Sequence, residues 1–395
     1  MTGIGASAGR AEASPLEIRG RIVSATSEFD DGVVSVRAGR IDRVSALADW
    51  IAAHPDSSVP PFSGTVLPGL VDIHNHGGFG HRFDTVDADE ARAAAEFHHT
   101  HGSTTVLASV VTGAAADMVA QVATLRELAV DGTIAGIHAE GPFLAAARCG
   151  AQDPRYLRDP DLELTDRLLA AADGALRIMT LAPELPGFDK VAQRLSDSGV
   201  VVSLGHSDTD FTRFQQAMRP HGFGTLVTHL ANGMPPLHHR DPGPVAAALV
   251  AAARRQAVVE LIGDGVHIDP GFGALVFATA PGQVALITDA MQAAGMPDGE
   301  YRLGPQVVRV TDGVARVATG SIAGGTAHLL KCLIWAVDAC GVPLRDAVLA
   351  ATSVPAAAAG STDVGDLRAD LFADLVIVDD NLQLRRVLRR GQWLT

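Results

Sequence analysis

The sequence predicts an α/β protein: a (β/α)8 barrel of the TIM type with a small β-sandwich domain built from both chain ends. Three observations carry this expectation. Eight short apolar runs alternate with Ala-rich helical stretches through the middle of the chain. Segments of strand-like alternation sit at both ends. Histidines and carboxylates fall where the apolar runs finish, as they do on the catalytic rim of a barrel. Strand–helix alternation suggests a parallel sheet, because parallel neighbours need a crossover, and eight such units suggest a closed barrel, although periodicity alone does not separate a barrel from an open sheet.

The elements follow in order. Residues 1–14 are small and polar, lack the apolar core of a signal peptide, and are expected to form a disordered tail. Within 15–65, the segments 16–23, 32–37 and 39–44 alternate apolar and polar residues between turn residues, which predicts short strands of the small domain. The barrel is expected over 66–354, with strands at 67–73, 104–108, 133–138, 176–180, 200–204, 225–228, 258–262 and 284–288. The segment 355–395 returns to short strands, at 375–378 and 384–387, and completes the small domain.

Composition narrows the function. With 395 residues, 47% of them hydrophobic and 19% charged, the chain can bury a large core. The formal net charge of −14 argues against nucleic-acid and anionic-membrane surfaces, which repel an acidic protein. A small anionic substrate remains compatible, since a local pocket can be basic. Cys149, Cys332 and Cys340 are odd in number and show no CxxC spacing, so neither a disulfide framework nor a cysteine zinc site is indicated, and a cytoplasmic location fits. No apolar run is long enough to span a membrane.

The chemistry lies at the strand ends. His74 and His76 follow the first run, Glu140 the third, His206 the fifth, His229 the sixth and Asp289 the eighth. A barrel gathers all these ends on one rim. An HxH pair on a strand puts both rings on one face, because side chains alternate with period two. Imidazole and carboxylate together suit zinc and related divalent ions. Glu140 can bridge two ions, and Asp289 can take a proton from activated water while also touching the metal. His98, His99, His101, His221 and His328 stand outside this pattern and read as structural.

The stretch Leu67-Pro68-Gly69-Leu70-Val71-Asp72-Ile73-His74-Asn75-His76-Gly77-Gly78 resembles the opening of the amidohydrolase superfamily. His138-Ala139-Glu140-Gly141-Pro142-Phe143, Ser203-Leu204-Gly205-His206-Ser207, Thr228-His229-Leu230-Ala231-Asn232-Gly233-Met234, Asp264-Gly265-Val266-His267 and Thr288-Asp289-Ala290-Met291 resemble the N-acetylglucosamine-6-phosphate deacetylases. The resemblance spans nearly the whole chain after the tail. It implies metal-dependent hydrolysis of the N-acetyl group of N-acetylglucosamine 6-phosphate to glucosamine 6-phosphate and acetate. It implies a divalent metal, with zinc as first choice, at one or two ions per subunit: Glu140, His206 and His229 hold one, and His74 and His76 a second, with Glu140 bridging. Asp289 is then the general base and later the acid.

The resemblance also assigns substrate contacts. Ala151, Gln152, Asn232, Gly233 and His267 fall at binding positions, and Ile322, Ala323 and Gly324 line the pocket with backbone groups. Arg240 matches a phosphate-binding arginine that reaches a neighbouring subunit's site, which implies a homodimer. Cys149 lies in a Gly-containing segment read as a mobile lid. Two departures stand out: Gln152 occupies a position where many members have His, and Asp370 one where Gly is usual. A deacetylase of another amino sugar phosphate and another kind of amidohydrolase remain open alternatives. A cyclic amidase often bridges its two metals with a modified lysine, but Lys190 and Lys331 are the only lysines and neither ends a strand run. A non-catalytic binding protein on the same barrel would have lost ligands, and all six are present.

Overall fold

The computed structural model describes residues 15–219 and 222–395. The expected tail and His221 lie outside the described residues. Eight parallel strands stand side by side in chain order: Val71–Asp72, Thr105–Val110, Gly136–Glu140, Leu176–Leu181, Val201–Leu204, Leu226–Val227, Val258–Ile262 and Val284–Ile287. Each of the eight apolar runs supplies one of them. The runs are continuously apolar because helices cover the outer face while the opposite face fills the barrel, so both sides are buried.

The barrel closes without a regular ladder between its last and first strands. Just past their ends, Asp289 N donates to His74 O at 3.0 Å and His76 N to Ala290 O at 2.7 Å. Beneath them the buried Asp72 accepts from the Thr288 hydroxyl at 2.6 Å and from Asn75 Nδ2 at 2.8 Å. Burial pushes the Asp72 carboxyl up to about 6, against the pull of these hydrogen bonds. The same bonds that close the seam therefore position His74, His76 and Asp289.

The interior is layered. Inside the barrel, Val71, Ile73, Ile178, Leu226 and Ile287 form one apolar cluster with Ala356 and Ala359. Beside it lies a polar belt. His138 Nδ1 faces Ser109 Oγ at 3.0 Å and His138 Nε2 faces Thr180 Oγ1 at 2.9 Å. Thr228 Oγ1 meets both Thr180 and Ser203 hydroxyls, at 2.7 and 2.6 Å. These buried groups are satisfied by one another, as burial requires.

The small domain is a single seven-stranded sheet that draws on both chain ends. Its order is Gln392–Trp393, Leu384–Arg389, Leu375–Val378, Phe62–Pro68, Leu16–Val23, Glu28–Arg37, Arg40–Ala46. Neighbours are antiparallel except Leu16–Val23 with Phe62–Pro68. The two chain ends are joined where Leu67 pairs with Val376. Ile18, Ile22, Val34, Val66, Leu375 and Ile377 build its apolar face. The run expected as one strand at 67–73 divides at Gly69, ending one strand in this sheet and starting another in the barrel. A Cβ at Gly69 would meet Thr104 Oγ1 at 2.0 Å, so the crossing needs glycine. Asp370 takes φ +72°, the left-handed conformation that glycine adopts freely, which accounts for glycine being usual there.

One element was not anticipated. A three-stranded antiparallel sheet, Gly299–Leu303, Gln306–Thr311 and Val314–Val317, follows the last barrel strand. Its turns at Gly304-Pro305 and Asp312-Gly313, with alternating Val308 and Val310 between them, are a hairpin signature in hindsight. Leu303, Val308, Val310 and Val317 pack on Met291 and Ala323, which fastens the sheet over the barrel mouth. No helix among the described residues is long and apolar enough to cross a membrane.

Candidate active site

All six residues expected on the rim meet at one end of the barrel. Glu140 is the last residue of its strand, and the others follow theirs within four residues. His206, His229 and Asp289 carry φ of +47°, +27° and +47°, uncommon for residues other than glycine. The left-handed turn lets the chain leave the strand direction at the residue that must face the axis. Such strain persists where surrounding structure enforces it, and functional sites are where it concentrates.

Two groups with metal-binding geometry share Glu140: His74, His76 and Glu140, and Glu140, His206 and His229. His76 Nε2 lies 3.3 Å from Glu140 Oε2, while His206 and His229 Nε2 lie 3.0 and 2.9 Å from Glu140 Oε1. The Nε2 atoms of His74 and His76 are 3.1 Å apart, and so are those of His206 and His229. Asp289 Oδ1 stands 3.3 Å from His74 Nε2 and 3.2 Å from His76 Nε2.

This donor set fits divalent ions. Two donors on one tetrahedral zinc, at about 2.0–2.1 Å each, lie about 3.3 Å apart, close to the spacings found. His74 Nδ1 donates to Glu260 Oε2 at 3.0 Å and His206 Nδ1 to the Arg148 carbonyl at 2.7 Å, so both Nε2 lone pairs face inward. Lone pairs converging with carboxylates demand positive charge. Burial by itself lowers the His74 imidazole, yet Asp289, Glu140 and Glu260 outweigh it and hold the group well above its usual range. His76, also depressed by burial, is carried to about 9 by Asp289 and Glu140. A divalent ion satisfies the same demand without protons.

Two residues that hold this array in place escaped the sequence reading. Glu260, fully buried, accepts from His74 Nδ1 and, at 3.1 Å, from the His229 backbone N–H, so one carboxylate fixes a member of each group. Its signal was available: a lone acid inside the apolar run Val258-Val259-Glu260-Leu261-Ile262. Thr112, whose backbone N–H is bound by Gln152 Oε1 at 2.8 Å, carried no such signal.

The pocket above the histidines has a cavity of about 240 Å³, which limits its occupant to a small molecule. Of the expected substrate contacts, Ala151, Gln152, Asn232, Gly233, His267, Ile322, Ala323 and Gly324 all line it, together with Gly150, Leu303 and Ser321. Ser321 and Leu303 were not anticipated because they belong to the inserted sheet and the turn after it. His267 Nδ1 donates to Asp264 Oδ2 at 2.7 Å. Burial lowers His267, but the Asp264 carboxylate prevails and raises it above its usual value. Arg240 does not line its own subunit's pocket; it is exposed, with Nη1 donating to His239 Nε2 at 2.8 Å. Cys149 is half-buried beside the turn Ala146–Arg148 and also outside the lining. His98, His99, His101 and His328 do not line it either.

Comparison with known proteins agrees with this geometry. The amidohydrolase family matches residues 65–394. The N-acetylglucosamine-6-phosphate deacetylase of Lysinibacillus sphaericus is 32% identical over 383 residues, covering 94% of this chain and 95% of the relative. The N-acetylgalactosamine-6-phosphate deacetylase of Escherichia coli O157:H7 is 33% identical over 379 residues, covering 94% and 97%. A mutant N-acetyl-D-glucosamine-6-phosphate deacetylase from Mycobacterium smegmatis, solved in complex with N-acetyl-D-glucosamine-6-phosphate, superposes with a TM-score of 0.91 at 37% identity over 96% of this chain and 99% of that one. The chain belongs to the amidohydrolase family, and within it to the branch whose members include these amino sugar phosphate deacetylases.

Proposed function

We propose that the protein hydrolyses N-acetylglucosamine 6-phosphate to glucosamine 6-phosphate and acetate, in the cytoplasm, as a zinc-dependent homodimer. The observation that carries this reading is the pair of histidine groups sharing Glu140 beneath a small pocket into which Asp289 opens. Glu140, His206 and His229 would hold one ion and His74, His76 and Glu140 a second, with Asp289 in reach of the latter. An ion held there supplies Lewis acidity, withdrawing charge from the acetyl carbonyl oxygen and from water.

The protein's own residues do the rest. Asp289 is held down to about 2: burial raises it, but the neighbouring His74 and His76 prevail. Its carboxylate, beside His74 and His76, accepts the proton of the attacking water. As water oxygen bonds to the carbonyl carbon and the C–N bond breaks, Asp289 returns that proton to the departing amine. Asn232, His267 and the backbone around Gly233 and 322–324 hold the sugar. Arg240 of one protomer grips the phosphate in the other's site, where its planar fork donates two parallel hydrogen bonds.

The test is acetate release from N-acetylglucosamine 6-phosphate, the unphosphorylated sugar and the galactosamine isomer, with and without chelator. Fast, chelator-sensitive release from the phosphorylated glucosamine compound supports the reading. Preference for the galactosamine isomer would favour the second reading, which the Escherichia coli relative motivates. No release from any of the three with metal restored would overturn both.

A further inference from the structure

The segment 145–152, whose residues Gly150, Ala151 and Gln152 line the pocket, is bonded to the ligand-type residues at several points. Ala145 N donates to the His206 carbonyl at 2.9 Å. The Arg148 carbonyl accepts from His206 Nδ1 at 2.7 Å, and Gly150 packs so closely that a Cβ there would lie 3.3 Å from His206 Cε1. Gln152 Nε2 donates to Glu140 Oε2 at 2.5 Å. Gln152 is 5% exposed, and its other amide atom, Oε1, accepts from Thr112 N. That pairing fixes the amide's orientation. Flipped, it would set NH2 against an N–H and a carbonyl oxygen against a carboxylate.

We propose that Gln152 is a positioning residue for the shared carboxylate, so that the wall contacting substrate also governs how tightly metal is held. The inference rests on the reading of Glu140 as a metal ligand. A carboxylate bridging two ions must present each oxygen in a set direction. Glu140 Oε1 faces His206 and His229, and Oε2 faces His76. Free rotation about the last side-chain bond would spoil both alignments. Gln152 holds Oε2 on the His76 side and thereby aims Oε1 at the other pair. It does so as a neutral donor, adding no positive charge to compete with an ion. Hydrogen-bond partners of metal ligands are worth about 10–100-fold in metal affinity.

Two variants separate positioning from other roles. Gln152→Glu keeps the shape and the acceptor for Thr112 but sets a negative charge against Glu140. Gln152→Met keeps the length and removes both bonds. Zinc retention is measured by elemental analysis after equilibration with graded chelator, beside thermal melts of the metal-free proteins and kcat and KM for acetate release. Both variants should melt, metal-free, within a few degrees of the parent and lose zinc at about 10–100-fold lower chelator strength. Their kcat should fall more than KM rises. Gln152→His, which offers one ring nitrogen to accept and one to donate, should restore retention. Unchanged zinc retention in both variants overturns the proposal, and a rise in KM alone would assign Gln152 to substrate instead. A parent that retains no zinc would overturn the underlying reading, and is distinguished because the variants would then not differ from it.

Discussion

The two halves of the candidate metal centre share one carboxylate but rest on different foundations. On the His74 side, support comes from within the barrel: Glu260 in the strand Val258–Ile262 binds His74 Nδ1. On the His206 side, support comes from the wall: the Arg148 carbonyl binds His206 Nδ1. Glu260 sits in a strand held by ladder bonds and packing, whereas Arg148 sits in a short turn held by individual hydrogen bonds to His206. The comparison teaches that the His74 and His206 rings are oriented from different parts of the fold, while Glu260 at His229 N–H and Gln152 at Glu140 Oε2 tie the two halves together.

Several experiments sharpen or break that contrast. The largest effect belongs to Asp289, which stands on the His74 side beside His74 and His76. Asp289→Asn should lower kcat about 10²–10⁴-fold, the usual worth of a general acid–base group, with the His206-side zinc retained; unchanged turnover would remove Asp289 from the mechanism. Next, Glu260→Gln should weaken metal binding on the His74 side about 10–100-fold, so that elemental analysis after chelator finds less metal per subunit than in the parent. Equal loss from both halves would show that the His229 N–H contact of Glu260 matters as much as the His74 contact.

A smaller effect is expected at the wall. Gly150 adopts φ +59° and an added Cβ would lie 3.3 Å from His206 Cε1, so Gly150→Ala should weaken metal binding on the His206 side by less than the Gln152 variants do, with the His74 side intact. Chelator titration followed by elemental analysis reads the difference.

The smallest is a pH effect at His267–Asp264. His267 is raised in the fold, so its contribution to stability is full below its unfolded value near 6.5 and is lost as pH rises through the folded value. Asp264 is lowered, chiefly by the His267 hydrogen bond against the cost of burial, so its contribution is present above 3.8 and lost as pH falls through the folded value. The metal-free protein should therefore be most favoured by this pair in the mildly acidic range. Asp264→Asn should flatten the melting-temperature profile there; an unaltered profile would refute the pairing.

Much of this was legible before folding. The eight barrel strands were readable because burial on both faces makes their runs continuously apolar. His74, His76, Glu140, His206, His229 and Asp289 were readable because each breaks an apolar run at its end. Glu260 was passed over although it breaks a run in the middle, where a charge is costlier to bury and more telling. The inserted sheet at 299–317 interrupts the strand–helix alternation that marks the rest of the barrel, and only its Gly304-Pro305 and Asp312-Gly313 turns signal it.

What the amino-acid order dictates here is periodic and local: which runs are strands, where they stop, and which side chains stand at the stops. Those follow from burial and from the two-residue repeat of a strand, which need no knowledge of distant partners. Partnership is another matter. That Glu260 meets His74 across 186 residues, that Gln152 joins Thr112 to Glu140, and that 303 and 321–324 roof the pocket were decided only when the barrel closed. Hydrogen bonds and ion contacts act over a few ångströms of space, and separation along the chain carries no trace of them until the fold sets the distance.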